Sequence, residues 1–377
     1  MRCLVAGGVL SLTTLLGVSS VAAASAFETH DPDVAQQWNL SQVGAFDAWK
    51  ITTGVGAKIG IVDSGIDASN PEFAGKIDAL ADCVGGTCRV GSAKDGNGHG
   101  TAVAGIAAAR ADNGIGTAGV GPGARLVIAR AMNDQGVGTT EDINNAIAWV
   151  VAQGAQVVNL SIGDNPIVTS RVGSDLSSSI EAAWARGAIP VLAAGNYDAA
   201  FGGDASASYG NLNAVVVGAS DNTGKPAWYS TSIGNAKWGL TAPGGGSDQP
   251  GEGVLSPSLD GKYSWLAGTS MATPHVSAAL AMLVSQGLTP SNAVARLLAT
   301  ANSTIPCGEG CHGRLQIDAA VQPIANAAAA PTRPTAVPAA PTHWWRFWGP
   351  IGVALAGSVA GVTALRRRRR TGRVFAT

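Results

Sequence analysis

The stretch Lys58-Ile59-Gly60-Ile61-Val62-Asp63-Ser64-Gly65-Ile66-Asp67 reads as a short buried strand that stops on a carboxylate. A brief apolar run closed by a glycine turn is the pattern of a strand covered on both faces. Outward from it the pattern recurs at residues 126–131, 156–160, 189–193 and 214–218. Between these runs the spacing predicts helices near 99–110, 140–153 and 175–187, and two more near 270–286 and 290–301. Strands that alternate with helices imply an α/β fold, a mostly parallel sheet with helices on both faces. In such sheets reacting groups collect at the carboxyl ends of the strands, where Asp63 would stand.

The chain around this core divides by composition. Hydrophobic residues make up 46% and charged residues 13%, which suits a large core under a lightly charged surface. A net charge of -1 gives no basis for nucleic-acid binding. Arg2, an apolar stretch and Ala24-Ser25-Ala26 form a signal peptide over residues 1–26, with Phe27 the expected first mature residue. Residues 27–321 read as one globular domain and residues 322–346 as an extended Ala/Pro/Thr-rich linker. Residues 347–365 carry no charge, and nineteen helical residues rise about 28 Å, close to the thickness of the bilayer hydrocarbon. Trp344, Trp345 and Trp348 flank one end and Arg366 to Arg370 the other. The expectation is a single-pass transmembrane helix, with the large domain outside the cell membrane and the basic tail, residues 366–377, in the cytoplasm.

Four cysteines follow the signal segment, and they allow three connectivities. Local pairing of Cys83 with Cys88 and of Cys307 with Cys311 is the simplest, and export to an oxidising compartment would preserve it. A zinc site of four thiolates is the alternative, although the usual two-residue spacing is absent.

Three stretches carry residues suited to chemistry. Asp63 ends its strand before Ser64-Gly65, a place where aspartate is also common as a simple turn residue. In Gly96-Asn97-Gly98-His99-Gly100-Thr101-Ala102-Val103-Ala104-Gly105 a glycine-rich loop runs into a helix of small residues, with His99 in the first turn. A helix N-terminus favours a neutral imidazole, the form a general base needs; taken alone, a structural histidine is the simpler reading. In Gly268-Thr269-Ser270-Met271-Ala272-Thr273-Pro274-His275, Ser270 would begin a helix whose first N–H groups suit developing negative charge. A plain serine N-cap is the competing reading, and Pro274 is tolerable in a first turn. His275, His312, His30 and His343 have no partner motif and read as structural or solvated.

Taken together, D-S-G-I-D, G-H-G-T and G-T-S-M-A-T-P-H, in the order Asp, His, Ser, resemble the three signatures of the subtilisin-like (subtilase) serine peptidases. The resemblance covers roughly residues 35–320 and implies a subtilisin-like three-layer fold and a polypeptide substrate. It implies that Ser270 attacks the scissile carbonyl, that His99 moves the proton and that Asp63 orients His99. Ala193-Ala194-Gly195-Asn196 resembles the oxyanion-hole segment, which makes Asn196 a donor to the tetrahedral oxyanion. Ser161, Ile162 and Gly163 resemble the edge that pairs with substrate backbone, and Gly136 and Gly138 the opposite wall of the cleft. No cofactor is implied for catalysis. Structural calcium is frequent in the family; Asp47, Asp78, Asp82 and Asp95 are candidate ligands that also read as solvated surface, and no ligand set is mapped.

Signal peptide, peptidase domain, linker, span and basic tail together are similar in architecture to the mycosins, membrane-anchored subtilases of type VII secretion systems. That likeness implies secretion-complex subunits as partners and a mainly structural role as the alternative function. The long proline-rich N-terminal extension usual in mycosins is missing, and, as a departure from subtilases more widely, the stretch before Trp38 is too short for the pro-segment many of them carry.

Overall fold

The computed structural model describes residues 29–163, 169–196, 209–323 and 373–376. The signal segment, the linker and the apolar stretch 347–365 lie outside them. Among the described residues no helix is long and apolar enough to cross a membrane.

The chain opens with two short helices, α1 (Trp38–Gln42) and α2 (Ala45–Trp49). The strand β1 (Lys58–Asp63) follows, then β2 (Ile77–Asp82), β3 (Arg89–Val90), α3 (His99–Ala108), β4 (Arg125–Arg130), β5 (Val137–Thr139) and α4 (Thr140–Ala152). Beyond these come β6 (Val157–Leu160), β7 (Ile162–Gly163), α5 (Thr169–Ala185), β8 (Ile189–Ala193), β9 (Val215–Ser220) and β10 (Trp238–Pro243). The hairpin β11 (Val254–Pro257) and β12 (Tyr263–Leu266) leads into α6 (Thr269–Ser285), α7 (Pro290–Ala299) and α8 (Ile317–Ala320). A last strand, β13 (Arg373–Ala376), comes from the C-terminal tail.

Eight strands form one sheet in the order β10-β9-β8-β6-β1-β4-β2-β3. All its pairings are parallel except that of β3 with β2. Ile59 and Ile61 of β1 join the core on one face and Val62 joins the core on the other, as the two-residue strand period requires. Helices α3 and α6 cover the first face and α4 and α5 the second. Burying one such isoleucine contributes about 1.5–3 kcal/mol. The three layers are thus a subtilisin-like α/β arrangement. The crossovers diverge at β1, which has β4 on one side and β6 on the other, so the end of β1 is the topological switch point.

Some expected bounds moved. The helix expected near 175–187 starts earlier, at Thr169. Strands β2 and β10 were not expected: β2 is half-exposed and alternates with carboxylates, and β10 contains Gly239, Ala242 and Pro243. Cys83 bonds Cys88 and Cys307 bonds Cys311, so the thiolates of a zinc site do not exist.

Residues 269–283 of α6 are buried on every side, the mark of a helix that runs through a core. His275 lies at its centre, fully buried. The Met271 carbonyl can only accept, so His275 Nδ1 donates to it (2.9 Å), and Nε2 accepts from the Asn39 amide (3.0 Å). This fixes a neutral tautomer. Burial pushes the ring down to about 4, against a smaller upward pull from the Met271 carbonyl. The unfolded chain takes up this proton near 6.5, so stability is complete above that pH and drains away as the pH falls from 6.5 towards 4. The loss is on the order of 3 kcal/mol. Urea unfolding across this range is expected to show a flatter pH dependence for His275→Gln than for the wild type, from a lower starting stability at pH 8. Equal slopes in both proteins would reject the assignment.

Candidate active site

Asp63 ends β1 at the centre of the sheet and is fully buried. Its Oδ1 accepts from the Ser64 N–H (2.7 Å) and lies 2.8 Å from Nδ1 of His99. His99 is the first residue of α3 and its ring is partly open to solvent. The meeting needs the helix start to touch the strand end. Gly100 makes that contact possible, because a Cβ there would strike the Gly65 carbonyl and press on the Asp63 side chain. Two further N–H groups, of Ala131 and Met132, converge on the Asp63 carbonyl and hold the strand end against the chain beyond β4.

Ser270 occupies the first turn of α6, and α3 packs against α6. Its hydroxyl lies 3.2 Å from the Ser161 carbonyl. Pro274 sits in the second turn of α6, not the first as expected, and cannot supply the N–H that would normally reach the Ser270 carbonyl. The Ser161 hydroxyl donates to that carbonyl instead, at 2.8 Å. It in turn accepts from the Asn159 amide (2.9 Å), whose oxygen accepts from Ser277 (2.8 Å). A line of buried polar groups therefore ties α6 to the end of β6 and fixes the backbone that carries Ser270.

Asn196 follows β8. Gly195 turns the chain with φ +98°, a conformation that glycine adopts without strain. The Asn196 side-chain oxygen accepts from both the N–H and the hydroxyl of Thr269, at 2.9 Å each. With its oxygen committed, the amide NH2 is the end that can donate. The Thr269 hydroxyl also accepts from the Gly195 N–H (3.2 Å), so the segment is clamped to the residue before Ser270.

Gly138 lies in β5, with Gly136 in the turn before it, and Ile162 and Gly163 form β7 directly after Ser161. The two short strands face each other across a gap filled by β13, which runs antiparallel to both. Val374 pairs with Gly138, Phe375 with Val137 and Gly163, and Ala376 with Ile162. The sequence places this tail, residues 366–377, in the cytoplasm; in the structure its residues 373–376 are the middle strand between β5 and β7.

The chain's likeness to known proteins agrees with this geometry. The subtilase-family profile matches residues 54–328. Thermitase from Thermoactinomyces vulgaris is 35% identical over 76% of this chain and 96% of its own length. The chain belongs to the subtilase family. Subtilisin Savinase from Lederbergia lenta is also 35% identical, over 68% of this chain and 86% of its own. Among solved structures, a protease from Pseudoalteromonas arctica superposes with a TM-score of 0.66 at 26% identity, covering 78% of this chain and 98% of the other. The protein is a subtilisin-like serine endopeptidase, and subtilases need no cofactor for catalysis.

Structural calcium is common among subtilases, yet the four carboxylates singled out in the sequence do not fit a calcium site. Asp47 pairs with Lys50, Asp78 with Lys58 and Arg125, and Asp82 with Arg130 and Arg89. Asp95 is wrapped by N–H and O–H donors. Each has at least one oxygen held by the protein's own cations or donors, and no acidic, histidine or cysteine cluster suited to a metal occurs among the described residues.

The sequence assigns no supporting role to Ser64, Asn159 and Ser277, and Asp95 reads there only as a candidate calcium ligand or solvated surface. A polar residue next to an apolar strand end was the available signal for Ser64 and Asn159, and an aspartate just before a glycine-rich helix start was the signal for Asp95. The Ser161 link can be tested directly. Ser161→Ala takes the donor from a buried carbonyl and should cost about 1–3 kcal/mol of stability. Pro274→Ala restores a helical N–H to the same carbonyl, so the double variant is expected to recover part of that loss in denaturant unfolding. Strict additivity of the two changes would count against the exchange of donors.

Proposed function

We propose that the chain is a membrane-tethered, extracytoplasmic serine endopeptidase in which Ser270 is the nucleophile, His99 the general base and Asp63 its orienting partner. The observation that carries this reading is the 2.8 Å contact between a fully buried Asp63 and His99, in a chain of this family. Ser270 Oγ attacks the scissile carbonyl as His99 Nε2 takes its proton. The Asp63 carboxylate holds Nδ1–H and stabilises the imidazolium that forms. Negative charge gathers on the carbonyl oxygen, where the Asn196 amide and the Ser270 N–H donate to it. Collapse of the tetrahedral adduct breaks the C–N bond, and His99 returns the proton to the leaving amine. Water, activated by the same imidazole, then releases the acyl group.

The substrate would enter as an extended strand between β5 and β7. The chain's own segment 373–376 supports this mode, because it pairs with both walls through main-chain groups. With the arginine block on the cytoplasmic side of a span at residues 347–365, that place falls to the substrate.

Two outcomes check the proposal. A serine-directed phosphonate is expected to label the wild type and leave the folded Ser270→Ala variant unlabelled; labelling that survives the change rejects the nucleophile. Asn196→Ala is expected to lower kcat roughly a hundred- to a thousand-fold with little change in KM, the usual worth of one oxyanion donor. The tether has its own test, in that deletion of residues 347–377 should move activity from the membrane fraction to the medium.

A further inference from the structure

Asp95 lies outside the three residues that do the chemistry, yet it is almost fully buried and its carboxylate accepts five hydrogen bonds. Oδ1 receives the Ser64 hydroxyl (2.9 Å) and the N–H groups of Asn97 (2.9 Å) and Gly98 (2.8 Å). Oδ2 receives the N–H (3.0 Å) and hydroxyl (2.6 Å) of Thr101. The donors come from two places. Asn97, Gly98 and Thr101 belong to the loop and first turn that present His99. Ser64 is the residue directly after Asp63, and its oxygen also accepts from the Gly100 N–H (2.9 Å). Thr101 adds a second tie, since its hydroxyl accepts from the Asp67 N–H (2.9 Å).

One carboxylate therefore caps the start of α3 and grips the end of β1 at once. Its role differs from a surface N-cap, which satisfies helix N–H groups and nothing else. Here the cap also sets how the helix start sits against the strand, and with it the separation of Asp63 and His99. The side chain is suited to this as an anion: burial alone would raise it, but the Thr101 hydroxyl and the N–H groups of Gly98, Asn97 and Thr101 overcome that and hold it below the usual carboxylate range.

We propose that Asp95 is a positioning residue of the active site, whose buried carboxylate locks the strand end that carries Asp63 to the helix start that carries His99. It acts through backbone and through Ser64, and touches neither substrate nor the reacting atoms. The proposal rests on the triad reading above.

The test compares Asp95→Asn and Ser64→Ala with the wild-type chain. Asparagine keeps the size but turns an NH2 towards N–H and O–H donors, so the lock fails without a cavity. Expected for Asp95→Asn is a ten- to hundred-fold fall in kcat, an equal slowing of phosphonate labelling and a KM within about threefold of the wild type. The acidic limb of the kcat/KM profile should move to lower pH, because a looser Asp63 contact stabilises the His99 imidazolium less. Ser64→Ala cuts the tie to β1 and leaves the loop donors on Asp95. It should show the same direction of change in kcat and in the pH limb, with a smaller drop in Tm than Asp95→Asn. A merely structural role predicts otherwise: the folded fraction of both variants would keep wild-type kcat and the wild-type pH limb, and that result overturns the proposal. Failure of the triad reading itself shows elsewhere, as labelling of Ser270→Ala, so the two failures are distinct.

Discussion

The hydrogen bond between Asp63 and His99 joins the end of a strand to the beginning of a helix, and the rest of the architecture makes that contact possible. Backbone elements rarely come so close, because side chains keep a helix and a sheet apart. Here the helix begins His99-Gly100-Thr101-Ala102, and Gly100 lets its backbone lie on the Gly65 turn. The strand, for its part, lies at the centre of the sheet, paired on both sides with parallel neighbours. It has little freedom to shift, so the carboxylate it carries is a fixed point from which the other groups are placed.

Small residues repeat this solution at Ser270. Helix α6 crosses the core with residues 269–283 all buried, and α3, itself built mostly of small residues, packs on it. Such a core forgoes the large apolar area of leucine or phenylalanine at the centre and gains close approach. The polar groups carried in with it must then be paired. Asn159, Ser161 and Ser277 do this beneath Ser270, and the Ser161 hydroxyl takes over the duty that Pro274 cannot perform. Because those bonds cross from helix to strand, satisfying them also fixes the backbone at Ser270.

The same physics explains what could be read in the sequence. Parallel strands buried on both faces are runs of apolar residues, so β1, β4, β6, β8 and β9 stood out, as did the helices between them. Their carboxyl ends located Asp63 and the segment of Asn196. Strand β2, Ile77–Asp82, did not stand out because its open face carries carboxylates, and β5 and β7 are too short to show any period. The expected strand-like walls at Gly136, Gly138, Ser161, Ile162 and Gly163 came from family resemblance, and no periodicity could have supplied them. The supporting polar network was illegible for a different reason. Ser64 and Asp95 are thirty-one positions apart, and Asn159 and Ser277 one hundred and eighteen, so their partnership exists only once the sheet has formed.

The three-stranded sheet of β5, β13 and β7 shows how little side-chain information strand pairing needs. Strand β13 is held through pairing with Thr139, Gly138, Val137, Gly163 and Ile162, and two of these five have no side chain at all. Main-chain pairing of this kind accepts any extended polypeptide that fits, including the protein's own tail. An enzyme built so broadly has to be restricted by other means. Side chains that line the ends of the cleft are one means; control over which chains can reach the cleft is another. A tether that holds the domain against a membrane and keeps the tail on the far side would supply the second, since it removes the nearest competitor from the cleft and confines the site to polypeptides at that surface.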